Sequence, residues 1–428
     1  MNQSARSDGL LLRVGSIDLA SIEVIDAHVH RFEAARFSDL NDRWNRSFVD
    51  ALVPAGDFEG RAALAERTLE AVERHVLDLP RMTGLLNYVA AVYGKPASVE
   101  TLDALASAHI GRDFTDYLRS ILDRERIAAV VMDQTGLPDR TEQQTGDFPK
   151  ERLVWTYPII FALQPEWVLS RGASTVAEAA AAVDRAMERC VDNGCAGFKS
   201  TAAYYRSLEV RPVAAAEAEA AFQLLRRTEP TSYRTFPIRI PTYADARTAA
   251  ALTTYQDFML RHMFRKAGEL DRPFVIHTAV ALHPALRPQL NDPRGMYAML
   301  VDEEVVRAGT QFLFIHTGYP SHHAMAAMAS QFPNVHVDLS FFSHFPGVLE
   351  ETLRTLLAIA PPQKIMHGSD SGSVPEDPAY CAHMLRVVLA RVLNDARGAY
   401  GWSERDCEVV ARGVMNENAR RLFRIRRS

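Results

Sequence analysis

Eight short apolar or β-branched runs, each followed by a longer stretch of helical period, constrain this chain more than any other feature. They are "IEVIDA" (22–27), "IAAVVM" (127–132), "LVWTYPIIF" (153–161), "AGFK" (196–199), "PFVIH" (273–277), "FLFIH" (312–316), "VHVDL" (335–339) and "KIMHG" (364–368). Between them, "TVAEAAAAVDRAMERCVDN" (175–193) carries an apolar stripe at helical spacing and stops before Gly194. The segments "MYAMLVDEEVVRAG" (296–309) and "DPAYCAHMLRVVLARVLNDA" (377–396) read as helices in the same way. Strand followed by helix, repeated, calls for a parallel sheet in an α/β fold. With eight units the sheet can close as a (β/α)8 TIM barrel, whose reactive residues belong at the C-terminal ends of the strands.

A plain barrel needs about 250 residues, so a chain of 428 must carry insertions. The larger is expected after the first strand, over about 36–126, where several helices read as a lid. A second follows the fourth strand, over about 201–245, and contains the proline-rich "TEPTSYRTFPIRIPTY" beside the mouth. Residues 1–21 are expected to form a small β-ribbon that plugs or flanks the barrel, and 22–428 to form one elaborated domain. Neither a fixed-period repeat nor a low-complexity linker divides the chain.

Composition narrows the partners. The net charge of −5 is spread along the sequence, which argues against nucleic acid, and only the tail "RRLFRIRRS" is locally basic. No apolar run approaches the roughly 18 residues of a membrane span, and the opening segment is too short and polar for a secretory signal, so a cytoplasmic location is expected. The four cysteines show no C-x-x-C spacing and are expected to be reduced. A small-molecule substrate remains, and a homo-oligomer is compatible with the fold.

The stretch "VIDAHVHRF" (24–32) ends its apolar run on two histidines one residue apart. Strand side chains two apart project the same way, so His28 and His30 point together into the expected pocket. His277 and His316 end two later strands, and Asp370 in "GSDSG" lies just past the last. Imidazole nitrogen with carboxylate oxygen suits zinc and similar divalent ions. Zinc is expected first, with manganese(II) or iron(II) as alternatives, one ion or two, and no organic cofactor. Lys199, one of only five lysines, ends the fourth strand. A desolvated amine there is nucleophilic and can take up carbon dioxide as a metal-bridging carbamate; the alternatives are an ion pair with Asp370 or with a substrate carboxylate.

Histidines in H-x-H on strand one, lysine on four, histidine on five and six and aspartate on eight together resemble the amidohydrolase superfamily. Within it the chain is similar to the amidohydrolase-related group of metal-dependent hydrolases that includes FluG N-terminal-like domains, from "IDAHVH" to "NENARRLF". The resemblance implies His28 and His30 as metal ligands, His277 and His316 as further ligands or catalytic partners, and Asp370 as ligand and proton shuttle. It also covers "FKSTAAYYR", where two tyrosines precede the arginine instead of one, leaving open whether Tyr204 or Tyr205 faces the pocket. Arg206 is a candidate clamp for a substrate carboxylate or a surface ion pair, and His322 is favoured over His323 as a further substrate contact, with His344 after strand seven making a similar claim.

The expected reaction is metal-dependent hydrolysis of an amide, lactam, lactone or related C–N or C–O bond, with Asp370 moving the proton and His316 assisting. Non-oxidative decarboxylation on the same scaffold is the alternative, and a non-catalytic binding protein the third. No dinucleotide or phosphate-loop motif occurs, and the centre of "GSDSG" is aspartate, not a serine nucleophile.

Overall fold

All eight runs form strands, and they pair in chain order. The computed structural model describes residues 12–53, 59–134, 146–234, 240–279, 283–284, 286–372 and 374–426. The strands are β1 (Val24–Val29), β2 (Ile127–Asp133), β3 (Leu153–Pro158), β4 (Gly197–Ser200), β5 (Phe274–His277), β6 (Phe312–Ile315), β7 (Val335–Asp338) and β8 (Ile365–Met366). Every neighbouring pair from β1 to β8 is parallel. Hydrogen bonds from Ala27 N to His367 O (2.9 Å), Asp370 N to His28 O (2.8 Å) and His30 N to Ser371 O (2.6 Å) draw β8 onto β1. The sheet is thereby an almost closed TIM barrel with helices around it.

Two apolar layers account for that arrangement. Ile25, Ala27, Ala129, Val131, Val275, Leu313, Ile315 and Met366 fill the inside of the ring, and Ala419 and Phe423 near the C-terminus pack with them. The alternate residues, among them Val24, Val130, Phe274, Phe312 and Val335, face outward into the large core under the helices. Burial on both faces is why most of these runs are largely apolar instead of strictly alternating; "VHVDL", where His336 and Asp338 alternate with apolar residues, is the exception.

The first insertion contains helices Phe37–Leu52, Arg61–Leu77, Pro80–Tyr93, Val99–His109 and Phe114–Arg124. It docks on the long helix Asp377–Tyr400. Gly84 touches that helix so closely that a Cβ there would lie 2.1 Å from the Tyr380 hydroxyl. Arg386, fully buried, binds Glu125 Oε2 at 2.6 Å and the carbonyls of Leu19, Ile22 and Glu125.

Three expectations are refined. The helix read over 296–309 is two, Tyr297–Leu300 and Glu303–Arg307, because the Asp302 carboxylate accepts from the backbone of Glu304 and Val305 and starts a new helix. The proline-rich segment contains an antiparallel pair, Ser232–Arg234 with Ile240–Thr242; residues 235–239 lie outside the described residues. The N-terminal ribbon pairs Arg13–Val14 with Ile17–Asp18 and flanks the barrel, held by Asn394 Nδ2 to Arg13 O (2.8 Å); residues 1–11 lie outside the described residues.

Candidate metal centre

Local irregularities, not plain strand alternation, bring the titratable side chains together. Between Asp26 and Val29, β1 advances three residues while β2 advances two, from Val130 to Met132. Such a bulge re-aims the strand. Ile25 and Ala27 therefore face the barrel interior below it, while Val29 faces the outer core and His28 and His30 turn to the mouth. His277 follows Val275 by simple alternation. His316 and Asp370 reach the site through positive φ, +63° and +66°, conformations uncommon for residues other than glycine. Phe341, Thr317 and Ala279 at neighbouring strand ends share this feature, and such concentrated strain is characteristic of functional sites. The glycines of "GSDSG" serve close approach: a Cβ on Gly372 would lie 2.6 Å from the Cβ of His30, and one on Gly368 would lie 2.7 Å from that of Ser340.

The result is a convergence of donor atoms. Asp370 Oδ1 lies 3.0 Å from His28 Nε2 and 3.1 Å from His30 Nε2. One ligand atom each from His28, His316 and Asp370 fall within 4.8 Å of one another. The ring centroids of His277 and His316 are 4.7 Å apart. His277 Nε2 is buried with no hydrogen-bond partner among the described residues, a costly state for an imidazole nitrogen unless something electrophilic occupies the space it faces.

The tautomer of His316 is set from behind. Ser340 Oγ donates to Asp338 Oδ1 at 2.6 Å, so it accepts from His316 Nδ1 at 2.9 Å. That leaves the Nε2 lone pair free to bind a cation. Burial holds His28 and His316 neutral, down to about 3 and about 4, and lowers His277 well below the ordinary range. Burial alone would raise the Asp370 carboxyl; the neighbouring His316 and hydrogen bonds from His28 and His30 outweigh it and hold Asp370 well below the usual range. Burial thus favours at His28, His277 and His316 the neutral imidazole that a divalent ion requires, while at His30 the hydrogen bond and charge of Asp370 outweigh burial and raise it.

A family model for amidohydrolases matches residues 25–425, almost the whole chain. The chain belongs to the amidohydrolase family. Over 243 residues the chain is 21% identical to protein fluG of Emericella nidulans, covering 55% of the chain but 26% of fluG, so it spans about a quarter of that relative's length. In three dimensions it is similar to a protein of Lactobacillus casei ATCC 334 assigned as a metal-dependent hydrolase, with TM-score 0.70, 18% identity, and 95% of this chain and 96% of that one covered. A uronate isomerase of Thermotoga maritima superposes with TM-score 0.65 and 14% identity, with 98% and 97% covered. At such identities the two solved structures bear on the fold of the amidohydrolase alone. Among its described residues, no helix is long and apolar enough to cross a membrane.

Of the residues singled out from the amidohydrolase's sequence, His28, His30, His277, His316, Asp370 and Lys199 are brought together. Lys199 Nζ lies 3.3 Å from His28 Nε2 and 3.2 Å from Asp133 Oδ2, fully buried. Tyr204 is the tyrosine at the site, its ring 4.8 Å from His277 and its hydroxyl raised by burial and by the charges of Asp370 and Asp133. Arg206 lies elsewhere: its guanidinium is buried against Asp257 of the helix Ala246–Glu269 and the carbonyls of Ser207 and Glu209. His322 stacks on Tyr319 at 5.6 Å, with Nε2 3.5 Å from Glu351 Oε1. His344 belongs to a second buried cluster with Asp377 and Cys381.

Two contributors escaped the sequence reading, Asp133 at the end of β2 and Asp338 at the end of β7. Both stood in plain view in "VVMDQ" and "VHVDLS", and the rule that reactive groups sit at strand ends points to them as it does to the histidines.

Proposed function

We propose that the chain is a metal-dependent hydrolase that cleaves an amide, lactam, lactone or related C–N or C–O bond of a small polar molecule. The observation that carries this reading is the approach of His28 Nε2 and His30 Nε2 to one oxygen of Asp370, beside the bare Nε2 of His277. Such a donor set fits a divalent cation, and His28, His30, His277, His316 and Asp370 would hold it. A bound ion of this kind polarises a carbonyl and makes water acidic near neutral pH.

The chain's own groups do the rest. Asp370, kept anionic by its histidine neighbours, takes the proton of the attacking water at Oδ1 or Oδ2 and returns it to the leaving group. Tyr204, whose hydroxyl stays protonated, donates a hydrogen bond to the oxygen that gains charge. Lys199, ion-paired with Asp133, adds a fixed positive charge behind His28 and supports a one-ion site. Zinc is the ion we favour.

That same pair supports a second reading. A buried cation beside the ligands suits a substrate that brings a carboxylate, and loss of that carboxylate as carbon dioxide needs only a proton donor at the carbon left behind. The test begins with elemental analysis of protein purified without added metal, on wild type and on His28→Asn. About one divalent ion per chain in wild type and a depleted variant are expected. Metal-loaded protein is then offered lactones, lactams, amides and aromatic carboxylates, with the freed carboxylate, amine or alcohol followed by mass spectrometry in parallel with carbon dioxide. A product heavier by one water without carbon dioxide, or the acid and amine or alcohol fragments of a cleaved bond, supports hydrolysis; carbon dioxide evolution moves the assignment to decarboxylation. Wild type that takes up no divalent ion removes both.

A further inference from the structure

The helix Asp377–Tyr400 begins on two buried acids, Glu376 and Asp377, that take no part in the chemistry above. Asp377 Oδ2 lies 2.8 Å from His344 Nε2, accepts from Ser371 Oγ at 3.2 Å, and has Arg81 of the insertion helix Pro80–Tyr93 at 3.7 Å. These three partners come from three elements at the barrel mouth: the turn after β7, the turn after β8, and the lid.

Each contact continues toward the site. His344 Nδ1 donates to the carbonyl of Phe341 at 2.9 Å, and Phe341 is the residue held at φ +64° beside His316, ring centroids 6.3 Å apart. Ser371 follows Asp370 directly, and its carbonyl accepts from His30 N at 2.6 Å. Phe341 N donates to Ser369 O at 3.2 Å, joining the two turns on the other side of Asp370. On the lid side, the Tyr117 hydroxyl binds Glu376 while Gly84 packs on Tyr380. A residue at positive φ keeps that conformation only while its surroundings over-determine it. Asp377 is the one carboxylate named here that ties both turns and the lid together.

Resting on the metal-centre reading, we infer that Asp377 is a positioning residue: it fixes the turn that presents Asp370 to the cation. The cluster His344–Asp377–Cys381 has the atoms of a metal site, but Asp377 Oδ2 is already engaged, and only Oδ1 is buried without a hydrogen-bond partner among the described residues. Both nitrogens of His344 face acceptors, and Arg81 supplies a cation at Oδ2. Burial together with the charge of Asp377 raises the Cys381 thiol well above its ordinary range.

Cobalt(II) titration of the metal-stripped full chain, read by visible absorption and by melting, tests this. Removing a partner that orients a ligand from outside the coordination sphere costs about 10–100-fold in metal affinity. Asp377→Asn is expected to weaken cobalt binding by that factor and to alter the ligand-field spectrum. Ser371→Ala, which cuts only the tether to the Asp370 turn and leaves the ion pair, is expected to fall between wild type and Asp377→Asn. Tyr117→Phe loosens the same helix end through Glu376 without reaching Ser371; it is expected to melt lower and bind cobalt as wild type does. Wild-type affinity in Asp377→Asn or Ser371→Ala overturns the inference, as does an equal loss in Tyr117→Phe. A second cobalt with a thiolate charge-transfer band, lost in Asp377→Asn, would overturn it by making the cluster a metal site. Wild type that binds no cobalt, or His28→Asn that binds it fully, fails the metal-centre reading and takes this inference with it.

Discussion

Asp370 and Asp377 stand at the same rim of the barrel, and each gathers histidine nitrogen at one carboxylate oxygen, yet the two clusters are in opposite electrostatic states. Around Asp370 the nitrogens of His28 and His30 converge on one oxygen, and a further imidazole nitrogen, on His277, is buried without a partner. Around Asp377 there is one histidine, satisfied at both nitrogens, and an arginine. The first leaves an imidazole nitrogen bare, as the proposed metal site requires; the second pairs its carboxylate with a cation of the chain's own. The same residue types thus build a reactive centre or an inert brace, depending on whether the chain closes the charge.

The largest effect expected from breaking this contrast is at Asp370. Asp370→Asn removes the proton carrier while preserving shape, so turnover of whichever substrate the panel identifies should fall roughly 10²–10⁴-fold. A variant that kept wild-type turnover would assign the proton to another group and leave Asp370 a ligand only.

Arg206 sharpens the comparison from the closed side. Its guanidinium is buried against Asp257, as Arg81 and His344 are against Asp377. Arg206→Leu strands the Asp257 carboxylate, which burial already raises above its ordinary range despite the neighbouring Arg206. Unfolding in urea should show a loss of about 3–5 kcal/mol, with metal content unchanged in the folded fraction. Retained stability together with weakened substrate binding would return Arg206 to the role of substrate clamp that its place in "AAYYRS" suggests.

These cases show which parts of the molecule the sequence made legible. The eight strands and their order were readable because each is a short apolar or β-branched run followed by a stretch of helical period, a pattern that survives any change in loop detail. His28, His30, His277, His316 and Asp370 were readable because they stand at strand ends. What alternation did not supply was the way they get there: the extra residue in β1 and the positive φ at His316 and Asp370 are backbone choices set by packing far away along the chain. The choice at Arg206 between substrate clamp and ion pair stayed open because Asp257, its partner, lies in a helix some fifty residues on. The brace at Asp377 was hidden for the same reason, since Arg81, His344 and Ser371 share no local pattern.

The smallest effect concerns a third state, an imidazole that is buried with neither cation nor brace. His367, at the end of β8, is fully buried, and neither ring nitrogen has a hydrogen-bond partner among the described residues. Burial, helped by the charges of Arg386 and His344, lowers it to about 3. In the unfolded chain a histidine titrates near 6.5. Between those values the unfolded state takes up a proton that the folded state refuses, so stability present at neutral pH is lost as pH falls, by about 1.4 kcal/mol per pH unit per group. His28 and His316, at about 3 and about 4 in the metal-free protein, act in the same direction. Asp26 and Asp338, raised by burial to about 7, act in the opposite one, since the folded state holds protons there that the unfolded state releases. The raw slope of stability against pH therefore mixes both signs, and the informative quantity is a difference. His367→Leu should flatten the decline between pH 6 and pH 4.5 by about one histidine's share, or about 1.4 kcal/mol per unit, in urea unfolding of the metal-free chain. An unchanged slope would mean that His367 is protonated in the folded state, and that it belongs with the braced cluster of His344 instead.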